Sequence, residues 1–134
     1  MKKLISLLVV IFIVSLSLFS CIDGEKARED AVDFLSALED EDYESARALL
    51  HPDFKIDMEK EISALEKQEG IDFSEGIDVY KFTGFSSAHY DSQVDGSLYE
   101  TTVNIAVGGK KGSLTVTLVD NDKGYGIYNF IFEF

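Results

Sequence analysis

The chain is poor in basic residues, and it contains one cysteine and no tryptophan. It has 12 Lys and Arg against 25 Asp and Glu, which gives a formal net charge of −13. Nucleic-acid binding depends on Lys and Arg that neutralise phosphates, so we expect no nucleic-acid partner. The lone Cys21 has no partner for a disulfide within the chain, and in an exported protein its presence requires another explanation.

The first residues have the pattern of an export signal. Met1-Lys2-Lys3 precedes an apolar run from Leu4 to Phe19 that only serines interrupt, as in the basic and hydrophobic regions of a signal peptide. A helix over this run rises about 24 Å, whereas a bilayer core is ~30 Å thick. Extending the run through Ile22 brings it close to a spanning length, so an uncleaved signal anchor stays open as the alternative.

The end of the apolar run carries a cleavage motif. Leu18-Phe19-Ser20-Cys21 resembles the bacterial lipobox, although Phe19 is bulkier than the residue usual at its position. The resemblance implies a diacylglyceryl group on the thiol and cleavage before Cys21. We therefore predict a signal peptide over residues 1–20 and a short tether over residues 21–26 that begins with lipidated Cys21. The alternative is that Cys21 merely ends a hydrophobic run.

The mature chain is strongly acidic and long enough for one domain. We predict a single domain over residues 27–134 with one core. Loss of Lys2 and Lys3 changes the formal charge from −13 to −15, so anionic headgroups repel the domain, although solubility alone also explains such a surface. We expect the domain in the cell envelope, on the extracytoplasmic side of a bacterial membrane, held there by lipid on Cys21.

Three segments of the mature chain have helical spacing. From Glu25 to Glu41, apolar residues recur every three or four positions, which predicts an amphipathic helix. A shorter helix follows, with Asp42 as its N-cap, and it is expected to stop at His51, because Pro52 disfavours helical geometry in the residue before it. A third helix is predicted over Ile56 to Glu69, closed by Gly70.

Beyond Gly76 the apolar residues alternate with a period of two. This pattern predicts four antiparallel strands, over Ile77–Phe85, Tyr99–Val107, Leu114–Leu118 and Tyr125–Phe134. Residues Ser86–Val94 form a weaker continuation of the first strand or a partner for it. Turns are predicted at Gly108–Gly112 and Asp120–Gly124. The last strand is apolar on both faces, which predicts a central position in a covered sheet. Helices followed by antiparallel strands give an α+β fold with the helices packed on one face of the sheet.

Four stretches resemble nuclear transport factor 2-like domains, especially those of bacterial lipoproteins. They are AVDFLSAL (31–38), DYESA (42–46), LHPDF (50–54) and the closing hairpin DKGYGIY (122–128). A tryptophan usually stands near the position of Tyr125, and this chain has none. The resemblance implies a cone in which N-terminal helices lie against a strongly curved antiparallel sheet, often with a pocket between them. It implies little about chemistry, because the fold hosts isomerases, dehydratases, cyclases and non-catalytic binding domains.

The helix and the last strand supply the side chains that would line such a pocket. We expect a ligand to enter between the first helix and the concave face of the sheet. The same side chains could instead fill the core, as aromatic stripes usually do. The predicted lining residues are Phe34, Leu38, Phe54, Tyr128, Phe130 and Phe132.

Residues that could carry catalysis are few. Enzymes of this superfamily pair an Asp or His base with a Tyr or acid donor inside the cone. We expect His51 to bond backbone carbonyls or face solvent, and His89 to point away from the covered face of the sheet. Asn104 and Asn129 could line the pocket or face water. No catalytic residue is therefore predicted.

Metal binding has similarly little support. Residues Asp120 to Gly124 resemble the start of a calcium loop, but the glycine comes one position early and no Glu stands at the twelfth position. A hairpin turn explains these residue types. The acids between Asp23 and Glu44 are expected to form a solvated face, the alternative being a weak surface for cations or a basic partner. No metal and no cofactor are predicted.

These observations predict a membrane-anchored extracytoplasmic lipoprotein. Its domain is expected to be a non-catalytic binding or accessory domain for a small apolar ligand or for an envelope protein. Two alternatives stay open. One is a pocket enzyme of the isomerase, dehydratase or cyclase kind, and the other is a structural envelope component with no pocket. Convergent ionisable residues in a deep pocket would favour the enzyme, an empty apolar pocket would favour a ligand, and a packed interior would favour the structural component.

Overall fold

The computed structural model describes residues 24–88 and 96–134. The predicted signal peptide, Cys21 and His89 lie outside these residues. Three helices, a short 3-10 turn and four strands follow one another: α1 (Gly24–Glu39), α2 (Tyr43–Ala48), α3 (Met58–Glu69), the turn Phe73–Glu75, β1 (Ile77–Ala88), β2 (Ser97–Val107), β3 (Lys110–Asn121) and β4 (Gly124–Glu133). None of the helices in these two segments has the length and apolar character needed to cross a membrane.

The helices form where the sequence pattern predicts them, although α2 ends at Ala48 rather than at the expected His51. The apolar stripe of α1 is buried, and Phe34, Leu35 and Leu38 are at most 2% exposed. Asp42 caps α2, because its carboxylate accepts the N–H of Ser45 at 3.1 Å. Gly70 ends α3 in the left-handed conformation, with a φ of 66°, which its lack of a Cβ permits.

The four strands form one antiparallel sheet in the order β1-β2-β3-β4. The β2–β3 hairpin turns through Gly108 and Gly109, whose φ angles of 54° and 87° suit the tight turn that right-twisted strands need. Asp122 and Lys123 form the β3–β4 turn, so the hairpin interpretation of Asp120–Gly124 is confirmed. The α+β fold, with helices preceding a curved antiparallel sheet, is therefore confirmed as well.

The predicted central position of the last strand is wrong. β4 lies at an edge of the sheet and pairs within it with β3. A bulge at Tyr128 explains the misleading pattern, since Leu118 pairs with Ile127 whereas Thr117 pairs with Asn129. The bulge brings Ile127 to the same face as Phe130, although the two are three residues apart.

The edge of β4 is covered at one point by the chain that follows α2. The N–H of Ile127 donates to the carbonyl of Leu49 at 2.8 Å, and the N–H of His51 donates to the carbonyl of Ile127 at 2.9 Å. These two bonds make Leu50 and Ile127 a short parallel bridge. The bridge satisfies backbone groups that an open edge strand would leave to solvent or to another chain.

One core lies between the helices and the sheet. Buried side chains of β2 and β3 alternate along each strand and face the helices, while the other face of the sheet, here called the outer face, carries mostly half-exposed residues. The largest buried apolar side chains are Phe34, Leu35, Leu38, Met58, Ile62, Phe73, Ile105, Leu114, Leu118 and Ile127. These side chains belong to one core cluster.

Candidate functional site

The space between α1 and the last strand is occupied by aromatic rings. The ring of Phe34 lies 5.0 Å from that of Phe130, and Phe130 lies 6.0 Å from Phe132. Phe132 in turn lies 5.2 Å from Phe73. Phe34 is fully buried, and Leu38 is 1% exposed. Four of the six predicted lining residues (Phe34, Leu38, Phe130 and Phe132) therefore belong to the core cluster or pack against it.

The remaining two predicted lining residues lie at the rim of this cluster. The Phe54 ring stacks on Tyr128 at 6.4 Å and meets Phe130 edge-on at 6.2 Å. Phe54 also lines a surface concavity of about 260 Å³, together with six neighbours: Arg47, Leu50, His51, Pro52, Lys55 and Ile56. The ring of Phe54 thus stands between the aromatic cluster and solvent.

His51 is a buried connector between the α2–α3 loop and the β3–β4 turn. It is 1% exposed, and its Nδ1 accepts the N–H of Asp53 at 3.1 Å. Nε2 therefore carries the proton and donates to Oδ1 of Asn121 at 2.9 Å. The expectation that His51 bonds backbone carbonyls or faces solvent is wrong. Both ring nitrogens are occupied, which favours a structural role.

The sequence interpretation missed a pair formed by Asp30 of α1 and Tyr125 of β4. Asp30 is 5% exposed. Its Oδ2 accepts a short hydrogen bond from the Tyr125 hydroxyl, and its Oδ1 lies 3.0 Å from Nζ of Lys26. The spacing from Ala27 to Asp30 to Phe34 places this carboxylate on the apolar face of α1, a signal that could have revealed it.

The environment of Tyr125 stabilises its protonated hydroxyl. Burial raises the pKa of Tyr125 well above its ordinary value, and the hydrogen bond to Asp30 raises it further. Lys26 lies 5.5 Å from the centre of the ring. A neutral phenol held on a carboxylate joins α1 to β4 and is poorly suited to exchange protons near neutral pH.

We expect Tyr125→Phe to lower the free energy of unfolding by about 1–2 kcal/mol at pH 7, because Asp30 loses a donor while it stays buried. Folding raises the pKa of Tyr125 above 10.0. The hydroxyl therefore makes its full contribution to the free energy of unfolding below pH ~10, and this contribution is lost as the pH rises further. Urea unfolding between pH 7 and 11 measures both effects. The control is Tyr80→Phe, at a ring that is 62% exposed. Equal losses in the two variants would contradict a role for the Asp30–Tyr125 pair.

A second concavity, of about 360 Å³, lies beside the end of α3 and is acidic. Its lining residues are Glu41, Ser63, Glu66, Lys67, Ile71 and Asp72. Glu66 accepts the N–H of Phe73 at 2.9 Å, and burial raises the pKa of its carboxyl. Among residues 24–88 and 96–134, no group of three or more His, Cys, Asp or Glu side chains could hold a metal ion.

A third concavity, of about 340 Å³, is lined by Tyr80, Asn104, Ile105, Lys111 and Gly112. A bulge places Tyr80 outside the regular pairing of β1 with β2. Asn104 thus lines a surface site away from the predicted cone, and Asn129 is exposed on β4. The polar groups here are a phenol, an amide and an ammonium, which can hold an anionic or hydrogen-bonding group and include no general base near neutral pH.

The described part of the chain thus has a packed aromatic cluster in its interior and concavities at its surface. Its two most buried ionisable groups, Asp30 and His51, each have hydrogen-bond partners from other parts of the fold. Comparison of the chain with models of protein families, with curated protein sequences and with solved structures gives no match in any of the three.

Proposed function

We propose that this chain is an exported bacterial lipoprotein, anchored by lipid on Cys21, whose packed domain is a non-catalytic structural component that contacts another protein of the cell envelope. The basic start, the apolar run and the lipobox-like end of residues 1–21 support the anchor. Residues 1–20 are removed as a signal peptide, and lipid on Cys21 holds the domain, whose α1 begins at Gly24, at the extracytoplasmic face of the membrane.

The finer fold assignment is also a proposal. We infer that the domain is a member of the nuclear transport factor 2-like group, with a cone formed by helices and a curved sheet. The element order supports this inference, as do the four stretches of sequence that resemble that group. The fold alone carries no chemistry, because unrelated functions share it.

The packing of Phe34 against Phe130 is the observation that carries the functional proposal. The two rings lie 5.0 Å apart at the place where a ligand would enter the cone. A small apolar ligand would have to displace buried aromatic contacts there, whereas the surface of the domain is free to meet a protein. The chain has a formal net charge of −13. This negative charge repels the phosphates of nucleic acids and the anionic headgroups of lipids, so neither is a suitable partner for the domain.

Intact-mass analysis of protein from its native membrane tests the anchor. We expect a mass that lacks residues 1–20 and includes added acyl groups, because cleavage and acylation both occur at the cysteine of a lipobox. Cys21→Ala should remove the acyl mass and release the protein from the membrane fraction.

Ser20→Ala is the matched control, because it keeps a small residue before the cysteine and should leave the acyl mass in place. An unmodified chain that still begins at Met1 would contradict the anchor and would favour an uncleaved signal anchor.

A further inference from the structure

The β1 edge segment, residues Ile77–Phe82, lies along the side of the sheet that no described strand covers. β1 pairs with β2 on one side and is the first strand in the sheet order. Val79 is 40% exposed, and Tyr80 is 62% exposed. An edge strand with exposed apolar side chains presents backbone groups and side chains with which another strand can pair.

A bulge at Tyr80 changes which residues of this segment share a face. Ile77 pairs with Val107 and Phe82 with Val103, so both Ile77 and Phe82 face the helices, although they are five residues apart. Arg28 of α1 lies 5.3 Å from the ring of Phe82, which agrees with that direction.

The two charged residues of the segment share the other face. Asp78 pairs with Ala106 and Lys81 with Asn104, and both partners lie on the outer face of the sheet. Without the bulge, residues three apart would point to opposite faces. Ile77, Asp78, Lys81 and Phe82 therefore have a face order of helix side, outer, outer and helix side, which is unchanged when it is read backwards, whereas the two charges change sign.

We propose that the β1 edge segment binds the same segment of a second copy of this chain, antiparallel and about a two-fold axis between Val79 and Tyr80. This register sets Asp78 opposite Lys81 of the partner subunit, and the reciprocal pair forms by symmetry. Ile77 then faces Phe82 of the partner subunit on the helix side, and Val79 and Tyr80 of both subunits lie beside the axis. The pairing depends on β1 alone and holds with or without a lipid anchor.

Charge favours a second copy over an unrelated strand. Ion pairs within residues 24–88 and 96–134 join Lys26 to Asp30, Lys110 to Glu69 and Lys123 to Asp53. Asp78 and Lys81 take part in none of these pairs, so both are available to a partner. Opposite charges directly across an antiparallel pair stabilise it, and like charges destabilise it.

The bulges limit which strands can pair with this edge. A second register shift, between Phe82 and Gly84, ends the regular segment, and Gly76, with a φ of 118°, begins it. Bulges and lysines on an edge strand, such as the bulge at Tyr80 and Lys81 here, hinder the addition of a flat strand to that edge. A second copy carries the same bulge at the symmetric position, so it fits where an unbulged strand does not. If the chain is lipid-anchored, confinement to one membrane raises the effective concentration for this short contact.

Charge reversal tests the register. The full chain, solubilised from membranes in mild detergent, is analysed by native mass spectrometry over a range of concentrations. Wild-type chain should form dimers. Asp78→Lys and Lys81→Asp should each raise the dimer dissociation constant roughly tenfold or more, because two attractive pairs become two repulsive ones.

Two combinations isolate the proposed pairing from general charge effects. The double variant Asp78→Lys/Lys81→Asp restores both pairs in reverse and should dimerise like the wild type. A mixture of the two single variants should form the mixed dimer in preference to either homodimer. Far-UV circular dichroism of each variant controls for folding, since both side chains are exposed.

Three results would overturn the proposal. The first is a wild-type chain that stays monomeric at all concentrations tested. The second is a dimer that both single reversals leave intact, which would place the contact on another surface. The third is a different envelope protein that is retained on wild-type chain and lost from the reversed variants, which would make β1 a docking edge for that protein.

Discussion

Phe34→Ala should lower the free energy of unfolding by about 3–5 kcal/mol, a large part of the roughly 5–15 kcal/mol that stabilises a native domain. Phe34 is fully buried and packs against Phe130 at 5.0 Å. Truncation removes its buried area and leaves a cavity between α1 and β4 that the rigid helix cannot collapse to fill. Urea unfolding followed by circular dichroism measures the loss.

The matched control for Phe34 is Phe85→Ala. Phe85 is 39% exposed and stacks on Tyr99 at 6.4 Å near the start of α1. Its truncation should cost about 1 kcal/mol, because much of its surface is already in water. Equal losses at the two positions would mean that the interior is not packed around Phe34.

Gly126→Ala should lower the free energy of unfolding by about 3 kcal/mol. A Cβ at this position would lie 2.4 Å from the backbone nitrogen of His51 and 2.5 Å from the carbonyl carbon of Leu50. Backbone atoms cannot move aside as a flexible side chain can, so the substitution forces the Leu49–His51 segment away from β4. The two hydrogen bonds between that segment and Ile127 then break.

Gly84→Ala is the control for this second substitution, because it changes another strand glycine. A Cβ on Gly84 would meet no heavy atom within 4 Å. Its effect should lie within about 0.5 kcal/mol of zero. If Gly126→Ala were equally harmless, the close approach of the α2–α3 connection to β4 would be contradicted.

The helices and two of their caps could be predicted because local rules determine them. The apolar spacing of α1, the Asp42 cap and the Gly70 cap each involve residues within one or two turns of the chain. The hairpin at Gly108–Gly109 is equally local. Such features need no knowledge of what packs against them.

The position of β4 could not be predicted because it depends on a bulge. A two-residue period assigns Ile127 and Phe130 to opposite faces, and the strand then appears apolar on both sides. The bulge at Tyr128 places the two side chains on one face, so β4 has a single apolar face and suits an edge. No local sequence signal distinguishes this bulge from regular pairing.

The polar pairs of the candidate site could not be predicted from local sequence patterns either. Asp30 and Tyr125 are 95 positions apart, and His51 and Asn121 are 70 apart. Polar pairs of this kind are set by how α1 and the α2–α3 loop dock on the last hairpin. The sequence did predict the aromatic residues between helix and strand, but their packing distances follow from the docked structure alone.

The central claim is that the interior of the domain is packed and holds no apolar ligand. Native mass spectrometry tests this claim most directly. The full chain is isolated gently from its own membrane and then exposed to a panel of lipids and apolar metabolites. A domain with a packed interior should carry no ligand mass beyond the acyl groups on Cys21, before or after exposure to the panel. A specific apolar mass that is bound by the wild-type chain, and lost from a folded Phe130→Ala variant, would show that the cone holds a ligand and would contradict the proposed function.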